Sequence, residues 1–144
     1  YSGATGYSGA YLQITARKAD GTSLGSAYSQ VLTSDTNTSV NGGWRRLTAT
    51  YELPAGTTNV AIYMCLRNAA GKAYFDNAQL ETGSTPNSVN LLQNSSFEKV
   101  NGNNYPLNWE RNNLTASDIN DTTVSKKDGT KLVKINGKVN GEKS

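Results

Sequence analysis

The sequence predicts an all-β fold, a β-sandwich of the jelly-roll kind, on three observations. Glycine (14 residues) and tyrosine (8 residues) are plentiful among the 144 residues, whereas strong helix formers are scarce. Several segments alternate apolar and polar residues, which is the pattern of half-buried strands and argues against a disordered chain. Turn signals such as Asp20-Gly21 and Asn136-Gly137 separate these segments at short intervals, as in sandwiches and jelly rolls.

The N-terminal third contains one strong strand and one weaker strand. Residues 9–19 alternate regularly, with Leu12 and Ile14 among the side chains of one face. Asp20-Gly21 ends this strand in a turn. Residues 27–33 then predict a weaker strand, and a polar loop follows it.

The central third contains the longest run of strand signals. Residues 44–53 predict a second long strand, which Pro54 ends because proline cannot continue a central ladder. Residues 58–67 give the clearest alternation in the chain, and residues 72–81 return after a tight connection. We therefore expect these last two segments to form a hairpin.

The C-terminal part follows a segment with the composition of a linker. Residues 82–90 are rich in glycine, serine and other polar residues, contain Pro86, and show no period. Residues 91–98 then predict a short strand pair, and residues 132–135 predict a further strand between turn signals. No stretch has the amphipathic pattern of a helix or the length of a membrane span.

Three segments resemble a known kind of module. Residues 73–81, Ala-Tyr-Phe-Asp-Asn-Ala-Gln-Leu-Glu, look like the closing strand of carbohydrate-binding-like jelly rolls. Residues 90–98, Asn-Leu-Leu-Gln-Asn-Ser-Ser-Phe-Glu, followed by Pro106-Leu107-Asn108-Trp109, resemble the opening strand. The segment Thr85-Pro86-Asn87 is similar to the linkers that join such modules in tandem in Gram-positive, wall-associated surface proteins of the YD-repeat (Rhs-like) kind.

That resemblance implies a non-catalytic carbohydrate-binding module of a secreted or cell-surface protein. The partner that it implies is cell-wall or extracellular polysaccharide, and neighbouring modules of the same protein are further expected partners. The alternative is a structural spacer or protein-interaction repeat that has no small ligand.

The order of the module-like segments is the reverse of the order in an ordinary module. Residues 1–81 therefore resemble the C-terminal part of one module, residues 82–90 the linker, and residues 91–144 the N-terminal part of the next. Each part alone would leave sheet edges and an apolar face open. We expect residues 91–144 to complete the sandwich in permuted strand order, either within one chain or by exchange between two chains in a dimer.

The residue types that are missing argue against catalysis and against nucleic acid as a partner. The chain has no histidine, which acyl transfer and zinc sites commonly use, and its acidic residues form no paired-carboxylate motif. Its net charge of +3 comes from 14 basic and 11 acidic residues spread along the chain, so no basic stripe is present. Cys65, the single cysteine, is expected to be a small buried hydrophobe. We therefore expect no enzyme.

A candidate ligand-binding face lies opposite the apolar side of the two clearest strands. If these strands are neighbours, aromatic and planar polar side chains form one patch that suits a glycan. The alternative is an ordinary solvated sheet face, where such residues are common. The residues of this face are Tyr11, Gln13, Arg17, Tyr63 and Arg67.

Two carboxylates in the module-like motifs are candidate metal ligands. Asp76 and Glu98 occupy positions that, in the related sugar-binding jelly rolls, contribute to a structural Ca²⁺ site. Two carboxylates are few for an ion that takes about six to eight oxygen ligands. In the alternative, Asp76 bonds a strand end and Glu98 is a solvated edge charge. Trp44 and Trp109 are expected to pack in the core because tryptophan carries a large apolar surface.

Overall fold

The fold is all-β in a computed structural model that describes residues 8–33, 43–85, 87–115, 118, 126–127 and 129–144. Every strand pairing is antiparallel, and these residues contain no helix, including none long and apolar enough to cross a membrane. The predicted all-β class is confirmed, and antiparallel sheets are consistent with a β-sandwich. The strands are β1 (Gly9–Arg17), β2 (Ser23–Tyr28), β3 (Asn59–Arg67), β4 (Lys72–Phe75), β5 (Val133–Asn136) and β6 (Glu142–Lys143).

The chain divides into two compact units. The first unit comprises Tyr1–Gly71 with Gly137–Ser144, and the second comprises Lys72–Asn136. The first unit holds a four-stranded sheet in the order β2-β1-β3-β6, and the second holds the two-stranded sheet β4-β5.

The first unit is built on one long ladder between β1 and β3. The ladder runs without a break from the pair Gly9 and Arg67 to the pair Arg17 and Asn59. The alternation of β1 places Leu12, Ile14 and Ala16 on one side of the sheet, and β3 adds Met64, Ile62 and Val60 opposite them. The alternation of apolar and polar residues predicted from the sequence for these two strands is therefore present in the ladder.

The connection from β1 to β2 is the turn that the sequence predicts. Lys18 N donates to Thr22 O at 2.9 Å, and the carboxylate of Asp20 accepts from Thr22 N at 2.9 Å. Gly21 has a φ of 85°, a left-handed conformation that glycine adopts without steric cost. Asp20-Gly21 therefore closes a hairpin, as expected.

The second unit buries a cluster of apolar side chains around its small sheet. Ala73 pairs with Ile135 and Phe75 pairs with Val133, so the four side chains share one side of the β4-β5 ladder. All four are buried, and Phe97 is 0% exposed. The buried side chains of the second unit thus come both from its short strands and from Phe97, which lies outside any strand.

Several strand predictions are wrong. Residues 44–53 are described and contain no strand, and residues 91–98 contain a turn at 93–96 where a strand pair was expected. The predicted hairpin of residues 58–67 and 72–81 does not form, because β3 pairs with β1 and β6 whereas β4 pairs with β5. The weak strand predicted over 27–33 is misplaced, because β2 spans Ser23–Tyr28 and only an isolated bridge at Leu32 lies in the rest of that range.

Strands from the end of the chain enter both sheets. β5 pairs with β4, and β6 pairs with the end of β3 at Leu66 and Arg67. The strands that follow residue 132 therefore pair with strands that lie before residue 76. The six strands do not show a jelly-roll order, so the permuted jelly roll, the boundaries at 81 and 91, and the exchanged dimer stay predictions.

Candidate functional site

The residues predicted to form a ligand face lie on one side of the first unit's sheet. In the β1-β3 register, Gln13 lies opposite Tyr63, Tyr11 opposite Cys65, and Gly9 opposite Arg67. Because alternate residues point the same way, all the predicted side chains share this side with Cys65. The structure thus brings the five together, although the sequence could not supply the register.

Hydrogen bonds engage these side chains with one another and with β6. The hydroxyl of Tyr11 donates to Glu142 Oε2 at 2.7 Å, and the Arg67 Nε lies 3.6 Å from the same oxygen. A guanidinium nitrogen of Arg17 donates to the Tyr63 hydroxyl at 2.7 Å. These contacts engage Tyr11, Arg67, Arg17 and Tyr63 within the protein. Those of Tyr11 and Arg67 reach Glu142 and so link β6 to the sheet.

Tyr11 is an interior residue, because only 1% of it is exposed. Burial and the hydrogen bond to Glu142 raise the pKa of the Tyr11 hydroxyl well above its ordinary value. The phenol is therefore neutral at physiological pH and serves as a donor to the carboxylate. Burial, with the nearby charge of Glu142, also raises the pKa of the Cys65 thiol to about 12.

Gln13 completes the network on the β2 side. Its side-chain amide donates to Thr15 Oγ1 at 2.9 Å, and the hydroxyls of Thr15 and Ser26 lie 2.8 Å apart. Thr15 is only 3% exposed, so this polar contact lies in the interior. Buried polar groups that are mutually bonded specify one register without forming an open site.

Carboxylates anchor the loops of the second unit. Glu98 Oε1 accepts from the backbone nitrogens of Thr130 and Lys131, both at 2.8 Å, and Oε2 accepts from the Thr130 hydroxyl at 2.7 Å. Asp76 accepts from the backbone nitrogens of Asn77 and Lys127, both at 2.9 Å. Each of the two predicted metal ligands therefore fixes a distant piece of the chain.

The charge of Glu98 is stabilised by these donors. Burial of the carboxylate opposes ionisation, but the hydrogen bonds from Thr130 and Lys131, with the positive charge of Lys131, outweigh it and lower the pKa of Glu98 below its ordinary range. Glu98 is therefore not the simple solvated edge charge that the alternative proposed.

Asp118 is a third anchoring carboxylate and was not among the residues predicted from the sequence. It is 1% exposed, accepts from the backbone nitrogen and the hydroxyl of Thr115 at 2.9 Å each, and accepts from Asn136 N at 2.6 Å. The spacing Thr115-x-x-Asp118 is a local signal of a side-chain-closed turn. The hydrogen bond from Asn136, at the end of β5, joins residues 18 apart, and no motif in the sequence indicates it.

An aromatic pair and an asparagine organise the motif around residue 97. Phe97 has a φ of 61° and packs against Trp109 with ring centroids 5.1 Å apart. The indole nitrogen of Trp109 donates to Asn94 O at 3.1 Å. The Asn94 side chain bonds Lys99 in both directions and donates to Leu107 O. Trp109 and Trp44 are both half-buried, so neither is fully enclosed in a core as the sequence predicted.

The geometry defines an all-β protein in which Asp76, Glu98 and Asp118 hold loops of the second unit and Glu142 links two strands of the first. Among the residues that the structure describes, no group of three or more histidine, cysteine, aspartate or glutamate side chains could hold a metal ion. No family model matches the chain, and no solved structure matches it.

The chain does match a short stretch of two curated proteins. It is 38% identical over 58 residues to the tRNA nuclease WapA of Bacillus subtilis strain 168, and equally to the tRNA(Glu)-specific nuclease WapA of Bacillus subtilis subsp. natto strain BEST195. The match covers 38% of this chain and 2% of each relative.

These comparisons correct the expected family and function. The resemblance to carbohydrate-binding-like modules of YD-repeat proteins was wrong, since no family model supports it and the relatives found are named as tRNA nucleases. The expectation that polysaccharide binds at the face of Tyr11 and Tyr63 depended on that resemblance, and it is wrong as well. The face is better described by the network that the structure shows.

We predict that Cys65 resists alkylation in the folded protein. A pKa of about 12 leaves very little thiolate at pH 9, and the side chain is 1% exposed. Iodoacetamide should react on the order of 100-fold more slowly with the native chain than with the chain in denaturant, as followed by mass spectrometry. Equal rates in the two states would contradict the buried position.

We predict that Glu98→Gln destabilises the second unit. The substitution removes a charged acceptor from three hydrogen bonds, which should cost about 1–2 kcal/mol because the carboxylate is only partly buried. Since the folded pKa is lowered, the wild-type stabilisation is present above the ordinary value of 4.5 and is lost as pH falls below it.

Denaturant unfolding at several pH values measures this effect. The wild-type chain should lose more free energy of unfolding than Glu98→Gln between roughly pH 5 and pH 3. Glu110→Gln, an exposed carboxylate of the same unit, is the matched control and should behave like the wild type. Parallel pH curves for all three proteins would disprove the anchoring role.

The structural Ca²⁺ site at Asp76 and Glu98 stays a prediction, and thermal melting tests it. If the carboxylates bind Ca²⁺ in addition to their backbone donors, millimolar CaCl₂ raises the melting temperature of the wild type, and Asp76→Asn with Glu98→Gln abolishes the rise. The same concentration of MgCl₂ is the control. An unchanged melting temperature of the wild type in CaCl₂ would contradict the predicted Ca²⁺ site.

Proposed function

We propose that this chain is a non-catalytic structural segment of a larger nuclease-related protein of the WapA kind. The observation that carries the proposal is the 38% identity over 58 residues to two proteins named as tRNA nucleases. The match covers 2% of each relative, so this chain corresponds to only a small part of such a protein. In this proposal, hydrolysis of tRNA belongs to other parts.

The side chains of this segment support a structural role. General acid–base cleavage of RNA commonly uses histidine, and the chain has none. Metal-assisted cleavage uses clustered carboxylates, whereas Asp76, Glu98 and Asp118 each accept hydrogen bonds from the protein's own backbone. These carboxylates therefore act as hydrogen-bond acceptors that fix loops of the protein.

The expected partners follow from the same reasoning. A net charge of +3 distributed along the chain gives little electrostatic attraction to a polyanion, so the segment itself should not bind tRNA tightly. Neighbouring parts of the same protein are its proposed partners. A secreted or cell-surface location is part of this proposal.

Incubation of the purified chain with tRNA tests the proposal. We expect no cleavage on a denaturing gel with or without added Mg²⁺, and no shift of labelled tRNA at physiological salt. The tRNA nuclease WapA of Bacillus subtilis provides the positive control for cleavage. Cleavage by this chain that is lost in Asp76→Asn or Glu98→Gln would overturn the non-catalytic assignment.

Exchange of the matching stretch tests the relationship to WapA. The aligned 58-residue stretch of this chain, placed in Bacillus subtilis WapA, should retain tRNA cleavage if both stretches do the same structural work. Replacement of that stretch by a flexible glycine-serine linker of equal length is the control. Loss of activity with this chain's stretch, but not with the linker, would argue against a shared role.

A further inference from the structure

Asn-Gly pairs recur along the sequence, and the structure describes three of them: Asn101-Gly102, Asn136-Gly137 and Asn140-Gly141. In such a pair the glycine nitrogen can attack the side-chain amide of the asparagine and close a cyclic imide, because glycine has no Cβ to hinder the approach. The attack needs a side chain that can turn, a nitrogen that is not already bonded, and room for the ring. The three pairs differ in these respects.

The pair Asn101-Gly102 is protected through its side chain. Asn101 Oδ1 accepts from the backbone nitrogens of Asn103 and Tyr105, at 2.9 and 3.1 Å. Asn101 O also accepts from Asn104 N at 2.9 Å. The side chain cannot turn toward the Gly102 nitrogen without breaking both of its hydrogen bonds.

The pair Asn136-Gly137 is protected through its nitrogen. Gly137 N donates to Gly71 O at 2.8 Å, and a Cβ added to Gly137 would lie 2.0 Å from Ala69 O. Asn136 is the last residue of β5, and its own nitrogen donates to the buried carboxylate of Asp118 at 2.6 Å. The attacking nitrogen is therefore occupied and closely packed.

The pair Asn140-Gly141 has none of these restraints. Asn140 is exposed in a turn, with a φ of 60°, and its side chain bonds to no residue that the structure describes. Within the same part of the chain, the Gly141 nitrogen donates to no acceptor. The atoms nearest to a Cβ added at Gly141 would be carbons of the flexible Lys138 side chain, at 3.5 to 3.8 Å, so a ring has room to form.

We propose that Asn140-Gly141 is a site of spontaneous deamidation that loosens β6 from β3. The Gly141 nitrogen gives up its proton to base and bonds to Asn140 Cγ, while the Cγ–Nδ2 bond breaks and ammonia leaves with a proton from water. Water then opens the imide at Cγ, which yields aspartate, or at the backbone carbonyl carbon, which yields isoaspartate and a longer main chain. This modification goes beyond the proposed structural role and does not depend on it.

The longer main chain of the isoaspartate form falls directly before β6. Gly141 O accepts from Asn68 N at 2.8 Å. Glu142, the next residue, pairs with Arg67 and accepts from the Tyr11 hydroxyl at 2.7 Å. Because β6 has only two residues, a shift of the residue before it disturbs these contacts together. The aspartate form keeps the original main chain and should keep them.

Incubation of the whole chain at mildly alkaline pH, followed by peptide mapping with electron-transfer fragmentation, tests the chemistry. In the folded chain, Asn140 should deamidate on the order of tenfold faster than Asn101 or Asn136, since those two must first break a hydrogen bond. In denaturant the three rates should become similar. Equal rates in the folded chain would overturn the proposal. A difference that persists in denaturant would also overturn it, because the neighbouring sequence and not the fold would then select the site.

Two variants separate the chemistry from its consequence. Gly141 has no positive φ and has space for a methyl group, so Gly141→Ala should hinder the attack and suppress deamidation at Asn140 while β6 stays in place. Asn140→Asp adds the negative charge without lengthening the main chain. Hydrogen exchange at the Asn68 amide should become on the order of tenfold faster in the isoaspartate form and should stay at the unmodified rate in Asn140→Asp.

The outcomes decide the proposal in either direction. Undiminished deamidation in Gly141→Ala contradicts attack by the Gly141 nitrogen. An Asn68 amide that exchanges equally fast in the unmodified and isoaspartate forms refutes the loosening of β6. The same increase in Asn140→Asp would assign the effect to charge and refute the role of the longer main chain. Cleavage or binding of tRNA by this chain would overturn the proposed function and leave these measurements unaffected.

Discussion

The antiparallel ladder between β1 and β3 is the interaction on which the first unit depends. Its register fixes which side chains of the two strands meet, and a slip of one residue would turn every side chain to the other face. In this register Tyr11 reaches Glu142, and Arg67 lies beside the same carboxylate. β6, a strand of only two residues, is attached by these side-chain contacts together with its backbone pairing to Leu66 and Arg67.

The second unit depends on a different device, in which carboxylates replace ladder hydrogen bonds. Its sheet has only two strands, which would be marginal in isolation. Glu98, Asp76 and Asp118 each bind backbone nitrogens from a segment far along the chain or at a turn. A charged acceptor forms stronger hydrogen bonds than a neutral one, so a few such anchors can order a unit that has little regular structure.

The sequence predicted those parts of the fold whose signal is local. Residues 9–19 and 58–67 alternate clearly because one side of each strand is more apolar than the other, and Asp20-Gly21 has the chemistry of its turn. The pairing of strands is non-local. The sequence contains no signal that β4 pairs with β5 and not with β3. Residues 44–53 have strand-like composition, but β propensity decides little by itself, and no strand in the described part of the chain pairs with them.

The candidate site shows the same division between local and non-local information. Alternation alone was enough to place Tyr11, Gln13 and Arg17 on one side of a strand, and the structure places Tyr63 beside them. Alternation could not show that Tyr11 is 1% exposed, because burial depends on what covers the strand. The role of Glu142 was equally hidden, since it lies 131 residues from its hydrogen-bond partner.

The two motifs that suggested a carbohydrate-binding module have an explanation in the folding of this chain. Phe-Asp-Asn at residues 75–77 ends β4 with a buried ring and a carboxylate that binds the backbone of Lys127. In Ser-Phe-Glu at residues 96–98, the ring of Phe97 packs against Trp109, and the carboxylate of Glu98 accepts a hydrogen bond from Thr130 N. Chains that must bury a ring and anchor a loop at a strand end can arrive at such tripeptides for those reasons alone. Short motifs of this kind therefore carry information about local structure, and a ligand has to be inferred from groups that the fold leaves available to it.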